Sequence, residues 1–219
     1  MIRHLLELEE LGVEGIQAIL QLTDRFVEVG ERAIPKVPAL RGKTVANMFF
    51  EDSTRTRLSF DVAAKRLSAD VLTFSASSSS LNKGESIRDS VETLEAMGIN
   101  AIVVRHGSSG VPQQITRWVN EGISVINAGD GWHAHPTQGL LDAYTVCEHF
   151  RGPAGPAASL QGLHVGLVGD ILHSRVARSD IQAYTALGAT VTLIAPATLL
   201  PADVSSWPVQ VSQDLDQVL

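Results

Sequence analysis

Residues 53–57, with the sequence STRTR, concentrate hydroxyl and guanidinium groups directly after a short apolar run. The run, residues 45–50, reads as a buried strand, and apolar residues recurring after Ser53 predict a helix. The STRTR segment therefore lies on the first turn of a helix, just beyond a strand's carboxyl end. Free backbone N–H groups and the helix dipole favour an anion there, and the side chains add donors that suit a phosphate. We interpret the segment as a phosphate-binding site; Ser53 as an ordinary N-cap beside two solvated arginines is the alternative.

The two arginines of this segment cannot share one role. Arg55 and Arg57 lie two residues apart, which is about 200° around a helix, so they cannot both face one phosphate. We expect Arg55 to face the ligand. We expect Arg57 to be packed or paired within the first domain.

Further polar segments follow other predicted strands. Arg105 and His106 come at the end of a strand at residues 102–104, and a loop at residues 128–136 follows the next strand. A serine-rich loop at residues 75–82 has the composition of a flexible linker, but Lys83 and a helix follow it directly. Ligand-binding groups collect at the carboxyl ends of parallel strands, so we expect these loops to lie along one edge with STRTR.

The loop at residues 128–136 raises the question of a metal site. His133 and His135 are suitable ligands, but no cysteine accompanies them, and carboxylates nearby are few, so a metal is disfavoured. His135 and Gln138 share a face if Pro136 begins the next helix. Both residues donate hydrogen bonds without adding a nucleophile, which favours binding of a carbonyl oxygen or an oxyanion.

Strands alternate with helices along the chain, which predicts an α/β protein with parallel sheets. The segment RGPAGPAASLQG, residues 151–162, interrupts a long helix and marks a domain boundary. We therefore predict two doubly wound parallel-sheet domains: residues 1–150, with 135–150 as a bridging helix, and an incomplete second domain at residues 151–219. The second domain would hold two strands and part of a third, and the chain would end in the start of another helix.

The second predicted domain carries Arg175 and Arg178 after a strand that ends near Asp170. Neither a G-x-G-x-x-G nor a Walker A pattern occurs there, so a dinucleotide fold is disfavoured. The arginines are candidates for ligand binding. The alternative is a surface ion pair with Asp170 or Asp180.

Composition restricts the class of protein. The 219 residues are 44% hydrophobic and 19% charged, with a net charge of −7. This acidic balance argues against nucleic acid or an anionic membrane as the main partner. The single cysteine, Cys147, excludes an intrachain disulfide framework and favours a reducing cytoplasm. The first residues lack the apolar core of a signal peptide, and no segment is apolar enough to span a membrane.

Five segments, in order, resemble the carbamoyltransferase family: FFEDSTRTRLSF, SSLNKGES, VVRH, AGDGWHAHPTQGLLDAYT and VGDILHSRVARS. The resemblance covers about residues 3–212 and is closer to the aspartate branch than to the ornithine branch, which remains an alternative. Ornithine enzymes usually carry a lysine beside the glutamate before STRTR, whereas Glu51 is followed here by Asp52. Asp52 also departs from the small residue or proline that is usual in the family.

The resemblance implies that the carbamoyl group of carbamoyl phosphate is transferred to the amine of L-aspartate. The products would be N-carbamoyl-L-aspartate and phosphate, in de novo pyrimidine biosynthesis. No metal and no organic cofactor is implied, and orientation of the substrates and stabilisation of the oxyanion would provide most of the rate. The implied catalytic residues are Arg55, Thr56, Lys83, Arg105 and His135.

Binding roles follow from the same resemblance. The phosphate would be held by Ser53, Thr54, Arg55 and Thr56. The carbonyl and the carbamoyl end would be bound by Arg105, His135 and Gln138. Arg175 would contact the α-carboxylate of aspartate. Glu51 would pair with arginines of the second domain, Arg175 among them, when the domains close.

The resemblance also implies an assembly. Ser80 and Lys83 would enter the active site of a neighbouring subunit, in a homotrimer with shared active sites. The family admits regulatory chains or another pyrimidine enzyme as further partners. Its second domain continues well beyond Leu219, so we expect the sequence to be part of a longer protein. The alternative is a truncated, non-catalytic module that binds carbamoyl phosphate.

Overall fold

The computed structural model describes residues 2–75, 86–150 and 159–218 of the chain. These residues form two compact units, the first from residues 2–6 and 24–131 and the second from residues 7–23 and 132–218. Within the described ranges, no helix combines the length and the apolarity that crossing a membrane requires.

The first unit is built on a four-stranded parallel sheet with the strand order β2-β1-β3-β4. Its strands are β1 (Thr44–Phe49), β2 (Asp70–Ser75), β3 (Ala101–His106) and β4 (Ser124–Asp130). Helices α2 (Thr54–Arg66), α3 (Ile87–Ala96) and α4 (Val111–Thr116) connect them. The predicted parallel α/β architecture is confirmed.

The central strands β1 and β3 are mostly apolar and mostly buried because both faces of the sheet are covered there. Alternate residues of β1 belong to different core clusters: Met48 packs with one, which includes Ile102, whereas Val45 packs with the other, which includes Val103. This burial on both sides explains why a continuous apolar run, rather than an alternating one, signalled the strand.

An N-terminal segment extends this sheet beyond β4. Leu5 forms a parallel bridge with Ile126. The Leu5 N–H donates to the Val125 carbonyl at 2.9 Å, and the Asn127 N–H donates to the Leu5 carbonyl at 2.9 Å. Leu5 therefore forms backbone hydrogen bonds with β4, a strand that lies about 120 residues later.

The second unit carries a three-stranded parallel sheet of order β5-β6-β7. Its elements are β5 (His164–Val168), β6 (Thr190–Ile194), β7 (Gln210–Ser212), α5 (Pro136–Phe150) and α6 (Arg175–Ala186). Helix α1 (Gly12–Gly30) contributes its first part to this unit and its last part to the first unit. Pro136 begins α5, which meets the condition under which His135 and Gln138 were expected to share a face.

Two expectations about element boundaries are wrong. No helix begins in the described residues 209–218: Gln210–Ser212 forms strand β7 beside β6, and turns follow it up to residue 218. Strand β4 continues to Asp130, where a loop was expected from residue 128. In both cases pairing with a distant strand, rather than local apolar periodicity, fixes the backbone.

The predicted domains and the compact units divide the chain differently. The units separate at residues 131 and 132, because α5 packs against α6 of the second unit. The predicted boundary at residues 150 and 151 adjoins residues 151–158, which lie outside the described residues. The division into residues 1–150 and 151–219 stays a prediction.

Candidate functional site

The STRTR segment occupies the position that its sequence predicts, at the N-terminus of α2. Ser53 is the N-cap, in an extended conformation (φ −155°, ψ 93°), and its carbonyl accepts from the Arg57 N–H at 3.2 Å. Among the described residues, the Ser53 hydroxyl makes no capping bond to this helix, and the first turn contains no acid. The positive end of the helix therefore carries no neutralising carboxylate in its first turn, which suits an anionic ligand.

Arg55 and Arg57 are both exposed. Neither forms an ion pair with another described residue. The expectation that Arg57 is packed or paired is therefore wrong within the described part of the chain. Thr56 is half-buried, and its carbonyl accepts from the Ser59 hydroxyl at 2.8 Å. The assignment of Arg55 to the phosphate stays a prediction.

Glu51 and Arg105 meet at the carboxyl ends of β1 and β3. Arg105 Nε lies 3.2 Å from Glu51 Oε2, with side-chain exposures of 15% and 32%. Arg105 Nη1 also donates to the Ala128 carbonyl at 3.3 Å. The sequence named both residues but missed their contact. Adjacency of β1 and β3 in a doubly wound sheet was the signal that could have revealed it.

A buried polar cluster shapes the end of β4. Asp130 accepts from the Gly110 N–H at 2.7 Å and from Asn127 Nδ2 at 2.8 Å, and Asn127 Nδ2 also donates to the Leu6 carbonyl at 3.1 Å. Asn127 and Asp130 are both fully buried. Asp130 therefore holds Gly110 directly and, through Asn127, the segment that contains Leu6, which is a structural role for this carboxylate. The described residues contain no group of His, Cys, Asp and Glu side chains suited to a metal ion.

His135 and Gln138 lie at the start of α5 in the second unit. The buried His135 donates its N–H to Ser179 Oγ at 2.9 Å, and its carbonyl accepts from the Gln138 N–H at 2.9 Å. Thr137 Oγ1 lies 3.4 Å from His135 Nδ1. Gln138 Nε2 donates to Asp142 Oδ1, one turn later, at 3.0 Å. Both side chains are thus positioned by the first two turns of one helix.

His133 has different surroundings from His135. Its Nε2 lies 3.5 Å from Glu7 Oε1. The neighbouring Trp132 packs edge-on against His173, with ring centroids 4.3 Å apart. His173 in turn contacts Asp170 at 2.8 Å, and this hydrogen bond lowers the pKa of the Asp170 carboxyl.

The two arginines of α6, Arg175 and Arg178, have different surroundings. Arg175 is the first residue of α6 and is half-buried, behind Ser174, whose hydroxyl accepts from the Ala177 N–H at 3.1 Å. The Arg178 guanidinium instead lies over the Trp207 ring, 4.8 Å from its centroid. Arg178 thus makes a cation–π contact instead of the ion pair considered from the sequence. The local sequence around Arg178 gave no signal that Trp207 is its partner.

Asp142 and Asp180 form a carboxyl pair between α5 and α6. Burial, the charge of Asp142 and a hydrogen bond to it raise the pKa of Asp180 to about 8. Burial also raises the pKa of the neighbouring Tyr184 hydroxyl. Sequence reasoning missed this pair, since the two acids lie 38 residues apart and each alone reads as a solvated helix residue.

The predicted site residues thus fall into three groups. At the carboxyl edge of the first sheet lie Glu51, Ser53, Thr54, Arg55, Thr56 and Arg105. On α5 and α6 of the second unit, or just before them, lie His135, Gln138 and Arg175. Ser80 and Lys83 lie outside the described residues, so their roles stay predictions.

Comparison with known proteins adds an independent line of support. A family model described as "Aspartate/ornithine carbamoyltransferase, carbamoyl-P binding domain" matches residues 3–148. The aspartate carbamoyltransferase catalytic subunit of Clavibacter sepedonicus is 54% identical over 219 residues, covering 99% of this chain and 68% of that protein.

Solved structures give the same picture. The catalytic subunit of M. jannaschii aspartate transcarbamoylase shares 32% identity, with a TM-score of 0.83, over 100% of this chain and 71% of that one. Aspartate transcarbamoylase from Trypanosoma cruzi, in complex with carbamoyl aspartate and phosphate, shares 27% identity with a TM-score of 0.83, over 97% and 67%.

The chain spans about two thirds of the length of the curated relatives that it matches. The family model covers most of the chain, and the identity to a curated relative extends along nearly all of it. The chain therefore belongs to the aspartate/ornithine carbamoyltransferase family.

Proposed function

We propose that this chain transfers the carbamoyl group of carbamoyl phosphate to the amine of L-aspartate, giving N-carbamoyl-L-aspartate and phosphate. One observation carries the choice of acceptor: the chain is 54% identical, along 99% of its length, to a protein named as the catalytic subunit of an aspartate carbamoyltransferase. The reaction is the one that the name of this relative describes. The product would enter de novo pyrimidine biosynthesis.

The phosphate of carbamoyl phosphate binds at the N-terminus of α2. The backbone N–H groups of the first turn, the hydroxyls of Ser53, Thr54 and Thr56 and the guanidinium of Arg55 donate to its oxygens. Support comes from the absence of an acid in this turn and from a Ser53 hydroxyl that makes no capping bond to the helix within the described chain. A helix N-terminus of this kind favours a doubly charged anion.

The carbamoyl end is bound by Arg105, His135 and Gln138. Arg105 and His135, with the Thr56 hydroxyl or N–H, donate to the carbonyl oxygen, on which negative charge develops. Arg105 is already oriented by Glu51 and by the Ala128 carbonyl, so little reorganisation is needed when the charge appears.

The reaction needs no covalent nucleophile. The aspartate nitrogen forms a bond to the carbamoyl carbon, a tetrahedral oxyanion collapses, and the bond to the phosphate oxygen breaks. The departing phosphate, stabilised by residues 53–56 and Lys83, takes the proton from the new nitrogen. Positioning of both substrates and stabilisation of the oxyanion provide most of the rate.

Aspartate binds through Arg175, which contacts the α-carboxylate. Support comes from the location of Arg175 in the first turn of α6, half-buried beside the Ser174 cap. Glu51 pairs with second-domain arginines on closure, in addition to its contact with Arg105.

The active enzyme is a cytoplasmic homotrimer in which Ser80 and Lys83 complete the site of a neighbouring subunit. Regulatory chains or another pyrimidine enzyme are further partners that this family admits. The single cysteine and the acidic net charge support a cytoplasmic protein that binds no nucleic acid.

Formation of carbamoyl-aspartate by the purified chain tests the proposal, with L-ornithine as the control amine. We expect product with aspartate and none with ornithine. Turnover with ornithine alone would overturn the choice of acceptor, and binding of carbamoyl phosphate without turnover would favour the non-catalytic module. Light scattering should give a trimer, since a monomer would contradict a shared active site.

A further inference from the structure

The Asp142–Asp180 pair is hydrogen-bonded to Gln138, a side chain that the proposed function places on the substrate. Gln138 Nε2 donates to Asp142 Oδ1 at 3.0 Å, so the pair and the glutamine form one hydrogen-bonded chain. Two of its members lie on α5 and the third on α6.

The two helices approach closely at this point. Gly139 lies against Ser179: a Cβ at position 139 would come within 2.9 Å of the Ser179 Cβ. Ser179 Oγ also accepts the His135 N–H at 2.9 Å. Asp180, which follows Ser179, is only 7% exposed. Asp180 therefore lies largely shielded from water beside a close contact of the two helices.

Two hydrogen-bonded carboxyl groups in such a contact must share a proton. Asp180 is the more buried of the two, and burial and the charge of Asp142 raise its pKa to about 8. At neutral pH the proton therefore resides on Asp180, which donates to Asp142. The second oxygen of Asp180, Oδ1, is buried and has no hydrogen-bond partner among the described residues, as expected for an uncharged carboxyl.

The proton on Asp180 decides whether Asp142 stays in place to hold the Gln138 amide. An ionised carboxylate only accepts hydrogen bonds, so it holds the amide nitrogen and leaves the amide oxygen available. Without the proton on Asp180, the two carboxylates would repel each other, so Asp142 would turn away and release the amide.

We propose that Asp180, acting through Asp142, is a positioning residue that keeps the Gln138 amide nitrogen bound within the protein and presents the amide oxygen to the NH₂ group of carbamoyl phosphate. This inference rests on the proposed function, in which Gln138 binds the carbamoyl end. It makes the pair a determinant of specificity, because an acceptor at this point favours an NH₂ group over a methyl group.

The ionisable groups that affect the pKa values of Asp180 and Tyr184 lie on α5 and α6. Asp142 faces it from α5, and Tyr184 lies one turn along its own helix. Cys147 of α5 lies beside Tyr184. Burial raises the pKa of Tyr184, so its hydroxyl stays neutral up to pH 9.5, and a Cys147→Ala variant controls for the thiol.

The test compares the binding of carbamoyl phosphate and acetyl phosphate, which differ in NH₂ against CH₃, at pH 6.5 and 9.5. We expect the wild-type chain to prefer carbamoyl phosphate at least fivefold at pH 6.5 and to lose most of this preference at pH 9.5. Asp180→Asn, whose amide donates at every pH, should keep the preference at both. Asp180→Leu, without a donor, should lose it at both. Cys147→Ala should behave as the wild type.

Either of two results would overturn the inference: an Asp180→Asn variant with the pH dependence of the wild type, or an Asp180→Leu variant with full preference. A second measurement needs no ligand. The side-chain NH₂ resonances of Gln138, assigned by their loss in Gln138→Glu, should shift with a midpoint near pH 8 in the wild type and not in Asp180→Asn. If neither phosphate binds while this titration is present, the proposed function fails and the orientation of the amide stands; without the titration, the inference fails.

Discussion

Arg105 Nε lies 3.2 Å from Glu51 Oε2, and the two residues come from neighbouring strand ends. The backbone repeats the link, because the Phe50 N–H donates to the Arg105 carbonyl at 2.9 Å. The arginine that we assign to the carbonyl oxygen is thus held at both its main chain and its side chain by the segment that precedes STRTR. The phosphate and carbonyl contacts of the first unit are therefore coupled through Glu51.

Removal of Glu51 should disturb Arg105 first. Glu51→Ala leaves a largely buried guanidinium without this ion-pair partner, which should lower the free energy of unfolding by about 1–3 kcal/mol and weaken carbamoyl phosphate binding several-fold. Chemical denaturation and calorimetric titration measure the two effects. Asp52→Ala removes the same charge from the next, exposed residue and should change neither. Equal effects of the two substitutions would contradict an orienting role for Glu51.

Arg55 and Arg57 provide a matched pair on one exposed helical turn. Arg55→Ala should weaken carbamoyl phosphate binding by about 10- to 100-fold, because it removes a charge-assisted hydrogen bond to the phosphate. Arg57→Ala, with the same loss of charge, should change the affinity less than twofold. Binding is measured by calorimetry at fixed ionic strength. The reverse order of effects would invert the assignment.

Asp180 should make stability depend on pH. Its pKa rises from an ordinary value of 3.8 to about 8 in the folded state, so the folded protein binds this proton more tightly than the unfolded chain. The contribution is fully present below about pH 4 and is lost as the pH rises toward 8, on the order of 5 kcal/mol in total. Urea unfolding at pH 5, 6.5 and 8 should show Asp180→Asn gaining stability relative to the wild type at each step. A constant difference would exclude the linkage.

Gly139 should be intolerant of any side chain. A Cβ there would meet Ser179 Cβ at 2.9 Å and Leu8 Cδ1 at 3.0 Å, so Gly139→Ala must push α5 away from α6, at a cost of about 1–3 kcal/mol. Gly122 has open space around the position of a Cβ, so Gly122→Ala serves as the control. Thermal unfolding compares the two. Equal melting temperatures would show that the helix contact can relax.

The sequence predicted those elements whose signal is local. Residues 45–50 predicted β1 because a strand that is buried on both faces is apolar along most of its length. The position of residues 53–57 on a helix N-terminus was predictable because their hydrogen-bond donors are followed directly by apolar residues at helical spacing. The start of α5 at Pro136, which the sequence analysis considered as a condition, has a local cause as well, because the first helical turn needs no N–H from proline.

The remaining features depend on partners far along the chain. Glu51 contacts Arg105 at the end of the neighbouring strand, and Asp142 on α5 contacts Asp180 on α6. Strand β7 is three residues long and only one of them is apolar, so its identity comes from pairing with β6. Charge and hydrogen-bond partners of this kind are set by topology, which local periodicity does not encode.

The bridge between Leu5 and Ile126 has a consequence for the timing of synthesis. At about 5–20 residues per second, a ribosome needs roughly 6–24 s to progress from one of these residues to the other. Leu5 emerges before Ile126 and has no strand of this pair to bind until β4 has left the exit tunnel. Leu5 and its neighbours thus remain unpaired with β4, and open to nascent-chain binding factors, in the interval.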